Sequence, residues 1–250
     1  MTKSSSRTEV AYQALRRAII EQALVPGTKL PEDEIGAQFG MSRTLVRATL
    51  ARLQAEGLVE TRPKRSATVA QPTLKEAQDV FAMRRVLERE AVRLVIERWK
   101  PEFGAVLDGH IREEAAAEAL NNPSLSIRLA GEFHIALAEL TENALLRRYL
   151  GELVSRCSLI LAMYGRPHSS ECAINEHHEI VDALRRRDAA RAIALMDAHI
   201  GLVEQRSMLA DASGAEPDLS AVLARYANDI TARRAAVDIR SVKQPKRAKQ

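Results

Sequence analysis

The sequence predicts a mainly α protein in two parts: an N-terminal helix-turn-helix unit finished by a small β-wing, and a C-terminal antiparallel all-α bundle. Two observations carry this. Residues 31–62 place a turn glycine, a capping serine, an apolar stripe, a stop glycine and a basic hairpin in one compact run. From residue 74 onward Ala, Leu, Arg and Glu dominate at helical spacing, and no strand pattern recurs.

The elements follow in order. Residues 1–7 are polar and Ser-rich, a leader expected to be disordered. Thr8 to Gln22 is an amphipathic helix, with Val10, Ala14, Leu15, Ala18 and Ile19 at helical spacing. Pro26-Gly27 breaks it. A short helix covers Glu32 to Phe39. Gly40 supplies the tight turn, because Gly takes a positive φ at little steric cost. Ser42 stands where an N-cap belongs, and a second helix runs from Arg43 to about Glu56, stopped by Gly57.

Val46, Leu50 and Leu53 form the apolar stripe of that second helix. Arg43, Thr44 and Arg47 fall on another sector near its N-terminal end, the end a recognition helix puts into the major groove. An Arg that donates twice to guanine O6 and N7 contributes roughly 1–3 kcal/mol of discrimination. Residues 57–62 lead into a short strand, Pro63-Lys64-Arg65-Ser66 is a basic turn, and Ala67 to Ala70 returns. A wing with Arg62, Lys64 and Arg65 at its tip suits phosphate or minor-groove contact. Charge alone is also compatible with a small helical hairpin whose arginines face water. The agreement of turn, cap, stripe and hairpin favours DNA binding over residues 8–70.

The run Pro-Glu-x-x-Ile-Gly-x-x-Phe-Gly-Met-Ser-Arg-Thr-x-Val-Arg-x-x-Leu-x-x-Leu-x-x-Glu-Gly-Leu-Val spans residues 31–59, preceded by Gly27-Thr28-Lys29-Leu30. It resembles the winged helix of GntR-family bacterial transcription regulators. The resemblance implies that Arg43, Thr44 and Arg47 touch the operator with the wing assisting. Two positions depart from it: Asp33 stands where some relatives carry a basic residue, and Ser66 where the wing tip usually has Gly.

Residues 71–73 read as a linker, and Thr73 with Glu76 forms a capping box for the next helix. That helix runs from Leu74 to about Trp99, with Val80, Met83, Leu87, Ala91, Leu94 and Val95 on a common face. Pro101 opens a second helix to about Leu120. Ser124 caps a third to about Leu140, and Asn143 opens a fourth to Tyr164. After Gly165-Arg166-Pro167, a fifth runs from Ser170 to Arg187, and Asp188 caps a sixth to about Leu209. Residues 74–212 thus read as an antiparallel helical bundle, standing where the GntR regulators it resembles carry an effector-binding and dimerisation domain. Residues 213–250 read as a C-terminal extension: one more helix from Asp218 to about Val237, then a basic end from Arg240 expected to be disordered.

Of six histidines, His110, His134, His168, His177, His178 and His199, three fall on separate bundle helices: His134, His177 and His199. Facing helices of a bundle build metal sites, and neutral imidazoles suit zinc, nickel, iron or copper. Each taken alone reads more readily as a satisfied polar residue than as a ligand.

By position and pattern the bundle resembles the FCD domain of the FadR subgroup. That resemblance implies a metal held by an Asp and three His, the Asp opening a D-x-x-F-H pattern. Phe133-His134, His177 and His199 fit in order, but Ala130 stands at the Asp position. Glu132 is no direct substitute, since two residues along a helix points the other way. Two readings stay open: a three-His site for zinc or nickel completed by water or an effector carboxylate, and a metal-free pocket whose histidines take a polar ligand directly. Arg84-Arg85-Val86-Leu87-Glu88 resembles the family's R-x-x-L-E segment, which implies that Arg84 meets an acidic effector. On spacing alone it is an Arg84–Glu88 pair on a solvated face. Asn143 matches the family's usual Asn, in a capping role.

The length of 250 residues allows one large domain or two smaller ones, and a net charge of +4 is compatible with nucleic acid without deciding for it. Cys157 and Cys172 are the only cysteines, without a CxxC, which suggests reduced thiols in a cytoplasm. No apolar run approaches the roughly 18 residues of a membrane span, and residues 1–7 lack a signal segment. The expectation is a homodimeric, ligand-responsive repressor on a palindromic double-stranded operator, controlled by a small effector such as an organic acid. A hydrolytic zinc enzyme using the same histidines would need a recognised acid–base motif such as HExxH, and the sequence has none. An architectural DNA-binding protein without effector fits poorly with inward polar residues in a large bundle.

Overall fold

Helix α1 (Lys3–Ile20) buries Ala11, Ala14, Leu15, Ala18 and Ile19, the inner edge of its amphipathic pattern. In the computed structural model, which describes residues 3–62, 65–165, 171–207 and 218–242, α1 begins at Lys3 and not at Thr8. Residues 4–6 contain no Gly or Pro to stop it, and Arg7 Nη1 donates to the Gly40 carbonyl at 3.1 Å. Strand β1 (Lys29–Leu30) follows, too short for any alternation to announce it. Helix α2 (Glu32–Phe39) ends on Gly40 in the left-handed region at φ 60°. Helix α3 (Arg43–Ala55) starts after Ser42, which is extended at the N-cap but makes no side-chain capping bond. Gly57 turns the chain at φ 73°, and a Cβ there would collide with the Arg156 guanidinium. Strands β2 (Val59–Glu60) and β3 (Ala67–Val69) complete an antiparallel sheet ordered β1-β3-β2, with Lys29 opposite Thr68 and Val59 opposite Val69.

The bundle comprises α4 (Leu74–Glu97), α5 (Pro101–Ala119), α6 (Pro123–Glu139), α7 (Ala144–Tyr164), α8 (Glu171–Arg185) and α9 (Ala189–Ser207). Thr73 and Glu76 make both bonds of the capping box. Asn143 Oδ1 accepts from the Leu146 N–H. The cap of α6 is Asn122, accepting from Leu125, with Pro123 in the first turn; Ser124 lies inside the helix. Helix α4 runs against α7 and α9, while α5 runs against α6 and α8. Its buried face is Ala77, Val80, Phe81, Arg84, Glu88, Ala91, Val92 and Val95. Met83, expected inside, is 49% exposed, because burying the Arg84–Glu88 pair turns it outward.

The last helix departs most from expectation. Helix α10 (Leu219–Val242) continues past Val237 into the stretch expected to be disordered from Arg240. Leu219, Leu223, Tyr226 and Ile230, spaced four, three and four apart, enter the core formed by α1, α2, α3 and the wing. The segment read as an extension therefore supplies a packed element of the N-terminal unit. Residues 243–250 lie outside the described residues.

Polar links join the two halves. Glu21, 3% exposed, accepts from Arg17 Nε at 2.6 Å, from Arg128 Nε of α6 at 2.8 Å and from the Tyr226 hydroxyl of α10 at 2.7 Å. Arg16 Nη2 donates to Ser155 Oγ of α7 at 2.9 Å. Among the described residues no helix is long and apolar enough to cross a membrane.

Candidate functional site

Two surfaces carry chemistry. The first is the outer face of α3. Arg43, Thr44 and Arg47 are all exposed there, and Val46, Thr49, Leu50 and Leu53 are buried behind them. Arg43 Nε and Nη2 donate to Asp33 Oδ1 and Oδ2 at 2.8 and 2.9 Å. Arg47 Nε donates to both carboxylate oxygens of Glu32 at 2.8 and 2.9 Å. On the wing, Arg62 pairs with Glu60 at 3.3 Å and Arg65 is exposed. Lys64 lies outside the described residues.

The second is inside the bundle. His134 of α6, His177 of α8 and His199 of α9 are buried, and one ring nitrogen from each lies within 4.8 Å of the others. Every Nδ1 meets a carboxylate: His134 meets Glu88 of α4, His177 meets Glu114 of α5 at 2.9 Å, and His199 meets Glu176 of α8 at 2.6 Å. Phe133 stacks on the His177 ring at 3.9 Å between centroids, which helps fix its plane. An ionised carboxylate only accepts, so each pair leaves its Nδ1 as the donor and its Nε2 as a lone pair.

Charge states support that assignment. Burial raises Glu88, but Arg84 and His134 outweigh it and hold the carboxyl at about 2. Glu176 is also lowered: His199 and Arg206 overcome its burial. Burial pushes His134 down to about 3, against the pull of Glu88. His177 falls well below the usual range, by burial and then by neighbouring His199. Glu114 is the exception, raised by burial to about 7. Above that pH the Glu114 carboxylate only accepts, and the lowered His134 and His177 imidazoles are neutral donors at Nδ1.

The Nε2 atoms of His134 and His199 are then 3.2 Å apart, and His177 Nε2 is buried without a hydrogen-bond partner. Facing lone pairs repel unless a proton or a cation stands between them. A separation of 3.2 Å is also what two nitrogens adopt when each lies about 2.0–2.1 Å from one ion. The donor set therefore suits a divalent transition metal, with a carboxylate behind each ligand, and the three nitrogens, spread over as much as 4.8 Å, draw closer to share one ion. Beside them Arg84, 3% exposed, donates Nε to Glu88 Oε1 at 2.8 Å and Nη1 to Cys157 Sγ at 3.4 Å. The pair expected as one alternative on a solvated face is thus buried. Arg84 Nη2, though 2.6 Å from the same Glu88 oxygen, has no properly oriented acceptor.

Known proteins agree with this architecture. Residues 7–69 match the family model described as bacterial regulatory proteins, gntR family, and residues 79–202 match the FCD domain. The chain belongs to the GntR family. It is similar to the probable D-xylose utilization operon transcriptional repressor of Paenarthrobacter nicotinovorans, 30% identical over 202 residues covering 80% of this chain and 89% of that one. It also resembles the HTH-type transcriptional regulator YdhC of Bacillus subtilis, 26% identical over 192 residues, 75% of this chain and 85% of that one. Among solved structures, McbR/YncC of E. coli superposes with a TM-score of 0.71 at 22% identity, over 82% of this chain and 99% of that one, and shares the fold.

This GntR protein is accordingly a DNA-binding transcriptional regulator and not an enzyme. In its FCD half, Ala130 offers no ligand atom, and Glu132 is engaged by Arg128 at 2.7 Å. The three histidines are legible in the sequence by their order on separate helices, whereas no motif marks the carboxylates behind them. A signal was available: Glu114 occupies the buried stripe of α5 with Leu107, Ile111 and Ala117, where an acid is out of place unless paired.

Proposed function

We propose that this GntR regulator is a homodimeric, cytoplasmic repressor that leaves its palindromic operator when a small organic acid enters the FCD half beside a bound divalent transition metal, zinc or nickel. The convergence of three Nε2 lone pairs, each backed by a carboxylate, carries the reading. His134, His177 and His199 would hold the ion, and three protein ligands leave a position open. A bound ion supplies positive charge and a coordination site for a carboxylate. Arg84 adds a fixed guanidinium, whose Nη2 is available to an acceptor. Arg43, Thr44 and Arg47 read the major groove, and Arg62, Lys64 and Arg65 follow the phosphates. The repressor sign is supported by the name of the Paenarthrobacter relative.

Effector control requires that the ligand prefer one arrangement of the two halves. Glu21–Arg128 and Arg16–Ser155 attach the winged helix to α6 and α7 separately, so a shift of one bundle helix against the other turns it. The test is metal content after exhaustive dialysis and zinc titration, on wild type and His177→Ala. About one ion per chain in the wild type and none in the variant is expected. Equal stoichiometry in both, or no uptake by either, overturns the metal reading. Organic acids are then screened for release of DNA from the zinc-loaded protein.

A further inference from the structure

The two arginines at the start of α3 are not bare. Asp33 grips Arg43 through two parallel bonds, and Glu32 grips the Nε edge of Arg47 through both its oxygens. Both guanidiniums are largely exposed, at 69% of their side-chain surface, and Asp33 is 72% exposed. Pairs this exposed add little to stability. Their consequence lies in where the charges stand. Glu32 and Asp33 open α2, the helix that in a helix-turn-helix crosses the DNA backbone. Two carboxylates there meet phosphate with the wrong sign.

The geometry shows what is gained. Arg47 spends only Nε on Glu32, so both terminal nitrogens keep their N–H groups for a bidentate contact. Arg43 spends Nε and one N–H of Nη2, leaving Nη1 and the outer N–H. A guanine edge offers O6 and N7 to such a fork, and the arginine need not release its carboxylate. A bare phosphate gives no such fit: it gains from the arginine charge, which the carboxylate has already neutralised. The acids thus fix the forks and remove the charge that binds any sequence.

We propose that Glu32 and Asp33 are positioning residues for DNA reading, buttressing Arg47 and Arg43 and setting the ratio of specific to non-specific binding. This rests on the reading of α3 as the recognition helix, and the experiment separates the two. A binding duplex is selected from random DNA with the full-length protein. Affinity for it, and for a scrambled duplex of equal length, is measured by fluorescence anisotropy across a salt series. The proteins are wild type, Glu32→Gln/Asp33→Asn, Asp33→Glu and Arg47→Ala.

The double variant should bind the scrambled duplex about tenfold tighter, with the slope of log K against log salt steeper by about 1–2 per winged helix, as freed arginines reach phosphates. Its affinity for the selected duplex should change by less than about threefold, so the ratio falls by roughly an order of magnitude. Asp33→Glu, which keeps the charge, should hold the ratio near wild type. A merely structural role moves both affinities together and leaves the ratio and slope unchanged; that result overturns the proposal. If Arg47→Ala leaves the selected duplex bound as tightly as before, the recognition-helix reading fails and the buttress falls with it.

Discussion

Replacing Glu176 by Gln tests whether the carboxylates behind the histidines tune a metal site. Glu176 is partly exposed, at 21% of its side-chain surface, so an amide of the same shape fits without a cavity. Its Oε2 lies 2.6 Å from His199 Nδ1, and the substitution removes the charge that makes that imidazole a better donor to metal. Losing such a partner costs about 10–100-fold in metal affinity. At free zinc 100 times the wild-type Kd, linkage stabilises the wild type by about 2.7 kcal/mol and the variant by about 0.4–1.4 kcal/mol. For a chain of this size each kcal/mol moves Tm by about 2–4 °C, so zinc should raise the wild-type Tm by roughly 5–11 °C and that of the variant by roughly 1–6 °C. Helical circular dichroism melts in zinc-buffered solution read this directly. The metal-free melt of each protein serves as its own baseline and removes any direct effect on stability. An equal rise in both proteins at the same free zinc would refute the reasoning.

Other perturbations have worked signs. Glu21→Ala leaves Arg17 and Arg128 without their shared carboxylate; since Asp229 and Glu132 remain as second partners, the loss should sit near the lower end for a buried pair, about 3 kcal/mol by urea unfolding. A loss under about 1 kcal/mol would contradict the role given to this link. Leu223→Ala, at a fully buried α10 position, should cost about 2–5 kcal/mol and loosen the amide protection of α1, and unchanged exchange in α1 would argue against the docking of α10. Tyr12 is raised from 10.0 to about 12 by burial and then by its bond to Glu56, and Tyr226 is raised by burial and Glu21. The native state keeps these protons when the unfolded chain has lost them, so their stabilisation is complete below pH 10 and is lost above it, for Tyr12 as pH rises through about 12. Phenolate absorbance of native protein should lag that of denatured protein, and coincident titrations would count against both hydroxyl bonds.

The parts legible in the sequence were those that local physics decides. Gly40, the stripe of Val46, Leu50 and Leu53, and Gly57 announce the helix-turn-helix, because turn and period involve neighbours within a few residues. The order of the bundle helices was legible through Pro101, Asn143 and the Thr73–Glu76 box for the same reason. What was illegible depends on distant partners. Glu88 meets His134 across 46 residues and Glu114 meets His177 across 63, and no window spans such distances. Hydropathy points Met83 of α4 inward because it ranks Met above Arg and Glu, whereas a charge pair completed by His134 is buried instead. Asp33 stands out in the sequence as a departure, but its grip on Arg43 appears only once α2 and α3 are packed.

The seat of α10 on α1 has a consequence for when this protein becomes able to act. Synthesis delivers α1, α3 and the wing first, then the whole bundle, and only then the residues around Leu223 that close the first core. Contacts between residues near 15 and residues near 223 can form only after the intervening bundle has been synthesised, so the core of the winged helix closes after the bundle exists. A nascent chain, or a fragment cut before residue 218, holds a reading head whose core is still open. The arrangement ties closure of the winged-helix core to the prior synthesis of the FCD half.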